Sequence, residues 1–225
     1  MWCERTALAL AAATLLGLVP AAAAAREPAA AAQRRSSRAA VPNVPLRTHT
    51  GRAVRFYDDL VRDRLVLVSF MYTRCEGSCP LTLRKLLGVQ RLLGEKLGKE
   101  VFILSITLDP EHDGPRVLRE HAARLGARPG WEFLTGRPRD IEVLRRGLGF
   151  TDPDPVLDAD RTQHVGMILL GNDRRARWSA LPAGIPAEQI METVMRVAGQ
   201  VPAPLPDVCA VPPGPARAQA GGTSD

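Results

Sequence analysis

Hydrophobic and polar positions follow two different periods along the middle of the chain. Leu65–Thr73 is an almost continuous apolar run, which is typical of a strand buried on both faces. Pro80–Leu97 has a helical period instead. On a helical wheel, five of its leucines fall within an arc of about 120°: Leu83, Leu86, Leu87, Leu93 and Leu97. The pattern therefore predicts a central strand followed by an amphipathic helix.

The same two periods predict the other elements of the domain. Further strands are expected at Val101–Asp109, Trp131–Leu134, His164–Leu170 and Arg175–Leu181, the last two joined by a turn at Gly171–Arg174. Further helices are expected at Pro115–Leu125, Asp140–Leu148 and Pro186–Ala198, and a short extended segment at Val54–Leu60. This order predicts an α/β fold, a three-layer sandwich with a parallel first βαβ unit and a mixed central sheet, in a thioredoxin-like order.

The two ends of the chain differ from this middle part. Residues 1–25 have the basic start, apolar run and small residues of an export signal cleaved near Ala25, with an uncleaved membrane anchor as the alternative. Residues 26–40 are predicted to be a flexible spacer, residues 41–200 the folded domain, and the Pro-rich residues 201–225 a disordered tail. The predicted location is the bacterial periplasm or the outer face of the inner membrane, with possible membrane association through residues 7–25.

The charge balance is basic, with a formal net charge of +6 at pH 7. Aromatic residues make up only 4% of the chain, and no basic stretch is interleaved with them. Nucleic-acid binding is therefore not expected. A basic surface favours docking on an acidic partner or an anionic membrane face.

The chemistry of the chain centres on Cys75 and Cys79, a C-x-x-x-C motif between the central strand and the helix opened by Pro80. At the positive end of a helix dipole, thiolates form readily. Two neighbouring thiolates can exchange a disulfide or hold a soft metal ion, and Cu(I) favours thiolate together with imidazole. Of the other cysteines, Cys3 is discarded or inert and Cys209 is interpreted as a loose thiol in the tail.

A third ligand would complete a trigonal copper site, and His164 is the best candidate. It begins a strand after the polar loop 151–163, at the edge where an α/β sheet presents functional side chains. His121 lies on the apolar face of its helix and is predicted to be packed, His112 to be capping or exposed, and His49 has no evident partner. Spacing alone leaves open that His164 is only a structural residue at a strand start.

Other possible ligands have simpler interpretations. Met167, Met191 and Met195 fall in patterned strand or helix, which favours core packing over Cu(I) binding. Asp158 and Asp160 are interpreted as solvated loop aspartates, with orientation of a ligand or contact with a partner as the alternative.

Five segments, in the right order, match a known family pattern. They are Phe70–Pro80 (FMYTRCEGSCP), Pro42–Leu46, Val54–Leu60, Ser105–Pro110 and Gly130–Gly136. Together they resemble the SCO/SenC family, thioredoxin-like copper chaperones for cytochrome c oxidase assembly, over about residues 41–198. The resemblance implies that Cys75, Cys79 and His164 are copper ligands. The family often has Asp-His where this chain has Gln163–His164, which leaves open the copper enzyme that is served.

The resemblance implies a metallochaperone that binds copper, as Cu(I) or Cu(II), and delivers it to a copper enzyme. The expected acceptor is the CuA site of cytochrome c oxidase. Oxidation of Cys75 and Cys79 to a disulfide would gate loading, so the implied partners are a copper-receiving oxidase subunit and a thiol reductant. The alternative is a thiol–disulfide oxidoreductase that keeps target cysteines reduced, with Cys75 and Cys79 as its catalytic pair. A peroxiredoxin-like peroxidase is disfavoured, because Val68 replaces the first proline of that family's Pro-x-x-x-Thr-x-x-Cys pattern.

Overall fold

The computed structural model describes residues 41–75, 79–159 and 166–200, except for the side chain of Cys79. The strands in these residues are β1 (Pro45–Thr48), β2 (Ala53–Arg55), β3 (Leu65–Met71), β4 (Val101–Thr107), β5 (Trp131–Thr135), β6 (Met167–Asn172) and β7 (Arg177–Pro182). The α-helices there are α1 (Cys79–Leu93), α2 (Pro115–Leu125), α3 (Pro138–Gly147), α4 (Pro155–Ala159) and α5 (Ala187–Ala198). Short turns of π-helix at Phe56–Val61 and of 3₁₀-helix at Gly94–Lys96 and Asp173–Arg175 connect some of them.

The strands form one mixed sheet in the order β2-β1-β5-β4-β3-β6-β7. β3 pairs with β4 in parallel, so that Met71 lies opposite Thr107 where both strands end. β3 also pairs antiparallel with β6, and β6 with β7. These pairings confirm the predicted parallel βαβ unit, hairpin and mixed sheet. They also bring the loops after Met71 and Thr107 to the same edge of the sheet.

The residues of β3 contribute to both hydrophobic cores of the domain, because successive side chains along a strand point to opposite faces of the sheet. All seven residues of the strand are buried. Leu67 belongs to the core that contains residues of α1, α2 and α5, whereas Val68 belongs to the core shared with α3 and the π-helical turn. Helices thus cover both faces of the sheet, and the predicted three-layer α/β sandwich is confirmed.

The amphipathic helix predicted at Pro80–Leu97 is confirmed, but it begins and ends at different residues. Of its five leucines, Leu83, Leu86, Leu93 and Leu97 are buried and Leu87 packs partly buried against the same core. The α-helix begins at Cys79 and ends at Leu93. Gly94 then takes a left-handed φ of 53°, a conformation in which glycine avoids the steric cost of a Cβ and which commonly ends helices.

The N-terminal part of the domain departs from the prediction. Val54–Leu60 is extended only as far as Arg55, and Phe56–Val61 then forms a π-helical turn closed by the Arg62 N–H donating to the Tyr57 carbonyl oxygen at 2.8 Å. The extended prediction was therefore wrong beyond Arg55. Its apolar residues pack against the sheet at helical spacing, which a short stretch does not distinguish from a strand. β1, antiparallel to β5, was not predicted, because four residues are too short to show a period.

The segment before β6 was predicted as a loop and contains the short helix α4, none of whose side chains is fully buried. The predicted signal or anchor at residues 1–25, the spacer at 26–40 and the tail at 201–225 lie outside the described residues and stay predictions. In the part of the chain that the structure describes, no helix combines the length and apolarity needed to span a bilayer.

Candidate metal centre

Cys75 lies at the junction between the central strand and α1. After β3 ends at Met71, the Cys75 N–H donates to the Tyr72 carbonyl oxygen at 3.2 Å, which closes a tight turn. Its side chain is 9% exposed and belongs to the core beneath α1. The backbone of Cys79 begins that helix. The two cysteines therefore flank the helix start, as the motif predicted, and a thiolate near this end is favoured by the helix dipole.

Cys75 is the one predicted ligand whose side chain the structure describes. The Cys79 side chain and the whole of His164 lie outside the described residues, as do Asp160 and Cys209. Among the residues that are described, no three His, Cys, Asp or Glu side chains come together as a metal-binding group. The meeting of two sulfurs and an imidazole therefore stays a prediction.

A buried carboxylate lies beneath the cysteine loop. Asp113, in the loop between β4 and α2, is 0% exposed. It accepts hydrogen bonds from the Thr73 backbone N–H at 2.9 Å and from the Thr73 hydroxyl at 2.5 Å. The Thr107 hydroxyl at the end of β4 donates to the same carboxylate at 2.7 Å. No local sequence pattern singles out Asp113, because its partner Thr73 lies 40 residues away in the chain.

A second link joins the same two loops at the surface. Arg74 donates to the Asp109 carboxylate at 2.8 Å. That hydrogen bond holds the pKa of Asp109 below its usual range, against the opposing effect of burial. The Leu108 N–H also donates to the Met71 carbonyl oxygen at 2.8 Å, so the backbones stay joined one residue beyond the paired strands.

The segment that leads toward His164 is held by Arg145 of α3. Its guanidinium donates to both oxygens of Asp158 at 2.6 and 2.8 Å, to both oxygens of Glu142 at 2.9 Å, and to the Phe150 carbonyl oxygen at 2.7 Å. The Asp152 N–H donates to Asp158 at 2.9 Å as well.

These bonds hold the pKa of Asp158 far below its usual range and raise the pKa of Arg145. The Asp158 side chain is only 12% exposed. Its interpretation as a solvated loop aspartate was therefore wrong. The partner of Asp158 is 13 residues away, beyond the local spacings that reveal helical ion pairs.

The remaining histidines lie outside any metal-binding group among the described residues. His121 lies half-buried with its ring edge-on to Phe133 at 5.8 Å between centroids. Its Nε2 finds no hydrogen-bond partner among the described residues, and burial lowers its pKa. His112 is exposed. Both outcomes confirm the predictions. His49 does have partners, since its Nδ1 accepts from the Phe133 N–H at 3.3 Å and lies 3.3 Å from a Glu132 carboxylate oxygen.

Met167, Met191 and Met195 are all partly buried. Met191 packs against the core shared by α1 and α5, as predicted. Met167 begins β6 and Met195 lies on α5. These positions agree with packing, to which the flexible methionine side chain is well suited.

A match to a protein-family model identifies the family of this chain. Residues 34–199 match the model described as SCO1/SenC. The chain belongs to the SCO1/SenC family. A curated relative, the SCO2-like protein of Rickettsia felis, is 31% identical over 120 residues, which cover 50% of this chain and 57% of the relative. The chain spans 36 to 60% of the length of the curated relatives it matches.

Solved structures agree with this family. The structure of Bradyrhizobium japonicum ScoI with copper bound is 26% identical, with a TM-score of 0.55, and the match covers 70% of this chain and 99% of that one. BsSco, described as a member of the Sco family of cytochrome c oxidase assembly proteins with a disulfide switch, is 24% identical, with a TM-score of 0.58, and the match covers 71% and 93% of the two chains. The predicted thioredoxin-like fold is confirmed for this SCO1/SenC protein.

Proposed function

We propose that this SCO1/SenC protein is a copper metallochaperone that holds its cargo between Cys75, Cys79 and His164. The observation that carries the proposal is the position of Cys75, buried at the carboxyl end of the central strand beside the start of α1. The copper bound to the related ScoI supports copper as the cargo. Two thiolates and one imidazole match the ligand preference of Cu(I).

Strand register supports His164 as the third ligand. Val68 of β3 lies opposite Leu169 of β6, and the two strands run antiparallel. The start of β6 therefore lies at the sheet edge where β3 ends, and Gly166 precedes it directly. His164 precedes Gly166 by only two residues in the sequence, which supports its assignment to this edge of the sheet.

The chemistry of the ligands sets the conditions for loading. Cys75 and Cys79 bind as thiolates and His164 as neutral imidazole, so loading releases protons and weakens as the pH falls. Release to an acceptor proceeds by ligand exchange, in which acceptor thiolates replace these ligands one at a time. The acceptor proposed is the CuA site of a cytochrome c oxidase subunit, which agrees with the oxidase-assembly role stated for the BsSco family. The exported location at the periplasmic face belongs to the same proposal.

A thiol–disulfide oxidoreductase is the second candidate, favoured by the disulfide switch described for BsSco. In that reaction one cysteine thiolate attacks a target disulfide and releases one target thiolate. The other cysteine then displaces the second target sulfur and forms the Cys75–Cys79 disulfide. Two electrons pass to the target, and a dithiol reductant returns two electrons to the pair. The burial of Cys75 disfavours it as the attacking sulfur.

An anaerobic Cu(I) titration of the reduced chain, with C209S to remove the tail thiol, tests the proposal. We expect one copper per chain with sulfur ligation by X-ray absorption. H164A should weaken binding by about a hundredfold or more, since even outer residues of metal sites contribute ten- to a hundredfold. H112A, which changes an exposed histidine, is the matched control. Copper affinity unchanged in H164A would contradict the three-ligand site, and disulfide exchange without copper binding would favour the oxidoreductase.

A further inference from the structure

We propose that Asp113 is a positioning residue that holds the Thr73–Cys75 loop, and with it the Cys75 sulfur, in place. The inference deepens the proposed function and rests on it for its consequence for copper. Its basis is one side chain that joins three parts of the molecule: the loop after β3, the end of β4 and the start of α2.

The bonds of Asp113 point at the cysteine loop rather than at its own helix. Asp113 precedes Gly114, the residue at the N-cap position of α2, and no side chain caps that helix. An aspartate so near a helix start commonly accepts from the first free N–H groups of the helix. Here the carboxylate accepts instead from the N–H and the hydroxyl of Thr73.

Burial gives these bonds their importance. Asp113 forms no ion pair with a Lys or Arg in the described residues. The groups that donate to its carboxylate are neutral: the N–H and hydroxyl of Thr73 and the hydroxyl of Thr107. A buried carboxylate is costly unless its oxygens are satisfied. The bonds that satisfy this carboxylate also fix the backbone two residues before Cys75. The exposed Arg74–Asp109 pair is screened by water and salt, and holds the same loop more weakly.

The position of Thr73 makes the consequence specific. The Cys75 N–H is bonded within the same turn, to the Tyr72 carbonyl oxygen. Release of Thr73 from Asp113 would free this turn while leaving β3 paired with β4 and β6 on both sides. The expected result is local exposure of the Cys75 sulfur without unfolding of the sheet.

Asp113→Asn in the otherwise unchanged chain tests the assignment. The amide keeps the size of the carboxylate but removes its charge and replaces one acceptor oxygen with an NH2 group, so the bonds to Thr73 and Thr107 are no longer bonds to a charged group. The matched control is D140N, the same substitution at another buried aspartate, which lies on α3 and accepts a hydrogen bond from Arg137 at the N-cap position of that helix. Two readouts are measured in the reduced protein without copper: hydrogen exchange of the Thr73 amide by NMR, and alkylation of Cys75 by iodoacetamide, quantified by peptide mass spectrometry.

D113N should accelerate both readouts by about tenfold or more, the factor that corresponds to loss of a hydrogen bond to a charged group. Exchange of the β3 amides, such as Val66 and Val68, should stay slow, and D140N should change neither readout. Equal acceleration of all β3 amides in D113N would reduce Asp113 to a general stabilising residue and overturn the proposal. Unchanged Thr73 exchange would overturn it as well.

T73V provides a second variant should D113N fail to fold. It removes the hydroxyl bond and keeps the backbone bond, so a smaller acceleration of the same two readouts is expected, and no acceleration would contradict the proposal. The Cu(I) dissociation constant is then measured separately. Absence of copper binding by the unaltered chain would reject the metallochaperone function while leaving the exchange result for Asp113 intact.

Discussion

Two segments at the ends of neighbouring strands are held in different ways. The cysteine loop is held by hydrogen bonds from the neutral N–H and hydroxyl groups of Thr73 to the fully buried carboxylate of Asp113. The segment that leads toward His164 is held by a mostly buried ion pair between Arg145 and Asp158, whose side chains are 13% and 12% exposed. The two attachments share no residue, and only the second joins two opposite charges. We therefore expect the two halves of the proposed site to be separable by mutation and by pH.

The largest effect on the second half is expected from Arg145→Met, which keeps much of the apolar stem and removes the guanidinium. It should raise the hydrogen-exchange rate of the Asp152 amide, which donates to Asp158, by about tenfold. It should also weaken copper binding through the chain that leads to His164, while Cys75 alkylation stays unchanged.

R139M is the control for this variant, because Arg139 lies on the same helix, is exposed, and forms no ion pair with Asp158 among the described residues. D113N should have the opposite profile to R145M, with fast alkylation of Cys75 and slow exchange of Asp152. If R145M and D113N affect both segments alike, the two halves of the site are one cooperative unit and the comparison fails.

Acidification should destabilise the two regions over different pH ranges. Burial lowers the pKa of His121, which lies near Asp113, from its ordinary 6.5. The unfolded chain therefore binds a proton more readily, and the free energy of unfolding should fall as the pH drops below about 6.5. The pKa of Asp158 is lowered from 3.8, so its stabilisation is present above that pH and is lost as the pH falls through the lower folded value.

Urea unfolding between pH 7.5 and 3 measures both effects. H121Q should flatten the stability profile in the upper range only, and D158N in the acidic range only. A profile in H121Q that follows the unaltered protein between pH 6.5 and 5 would show that His121 does not contribute the upper slope.

The smallest effect is expected from Arg74→Ala. The arginine side chain is 64% exposed, and pairs of this kind contribute less than about 1 kcal/mol. The loss should vanish in 1 M salt, on the order of a 3 Å screening length, and Thr73 exchange should change far less than in D113N. An effect of R74A that matches D113N and persists in high salt would transfer the positioning role from the buried bonds to the surface pair. Thermal unfolding of R74A and the unaltered protein at low and high salt measures the loss of stability.

The period of the hydrophobic residues predicted the long elements correctly. The buried run of β3 and the leucine face of α1 were predicted from one-dimensional patterns, because a central strand and an amphipathic helix repeat their burial every two or 3.6 residues. Short elements carry too few repeats for this. β1, the π-helical turn at Phe56–Val61 and α4 were missed or assigned wrongly for that reason.

The sequence by itself determined the fold class, the placement of Cys75 and Cys79 around a helix start and the family pattern, since all of these depend on local patterns and on their order along the chain. Only the tertiary structure decided which side chains support the site. Thr73 meets Asp113 across 40 residues and Arg145 meets Asp158 across 13. Such contacts depend on strand pairing and helix packing, and no local spacing reveals them.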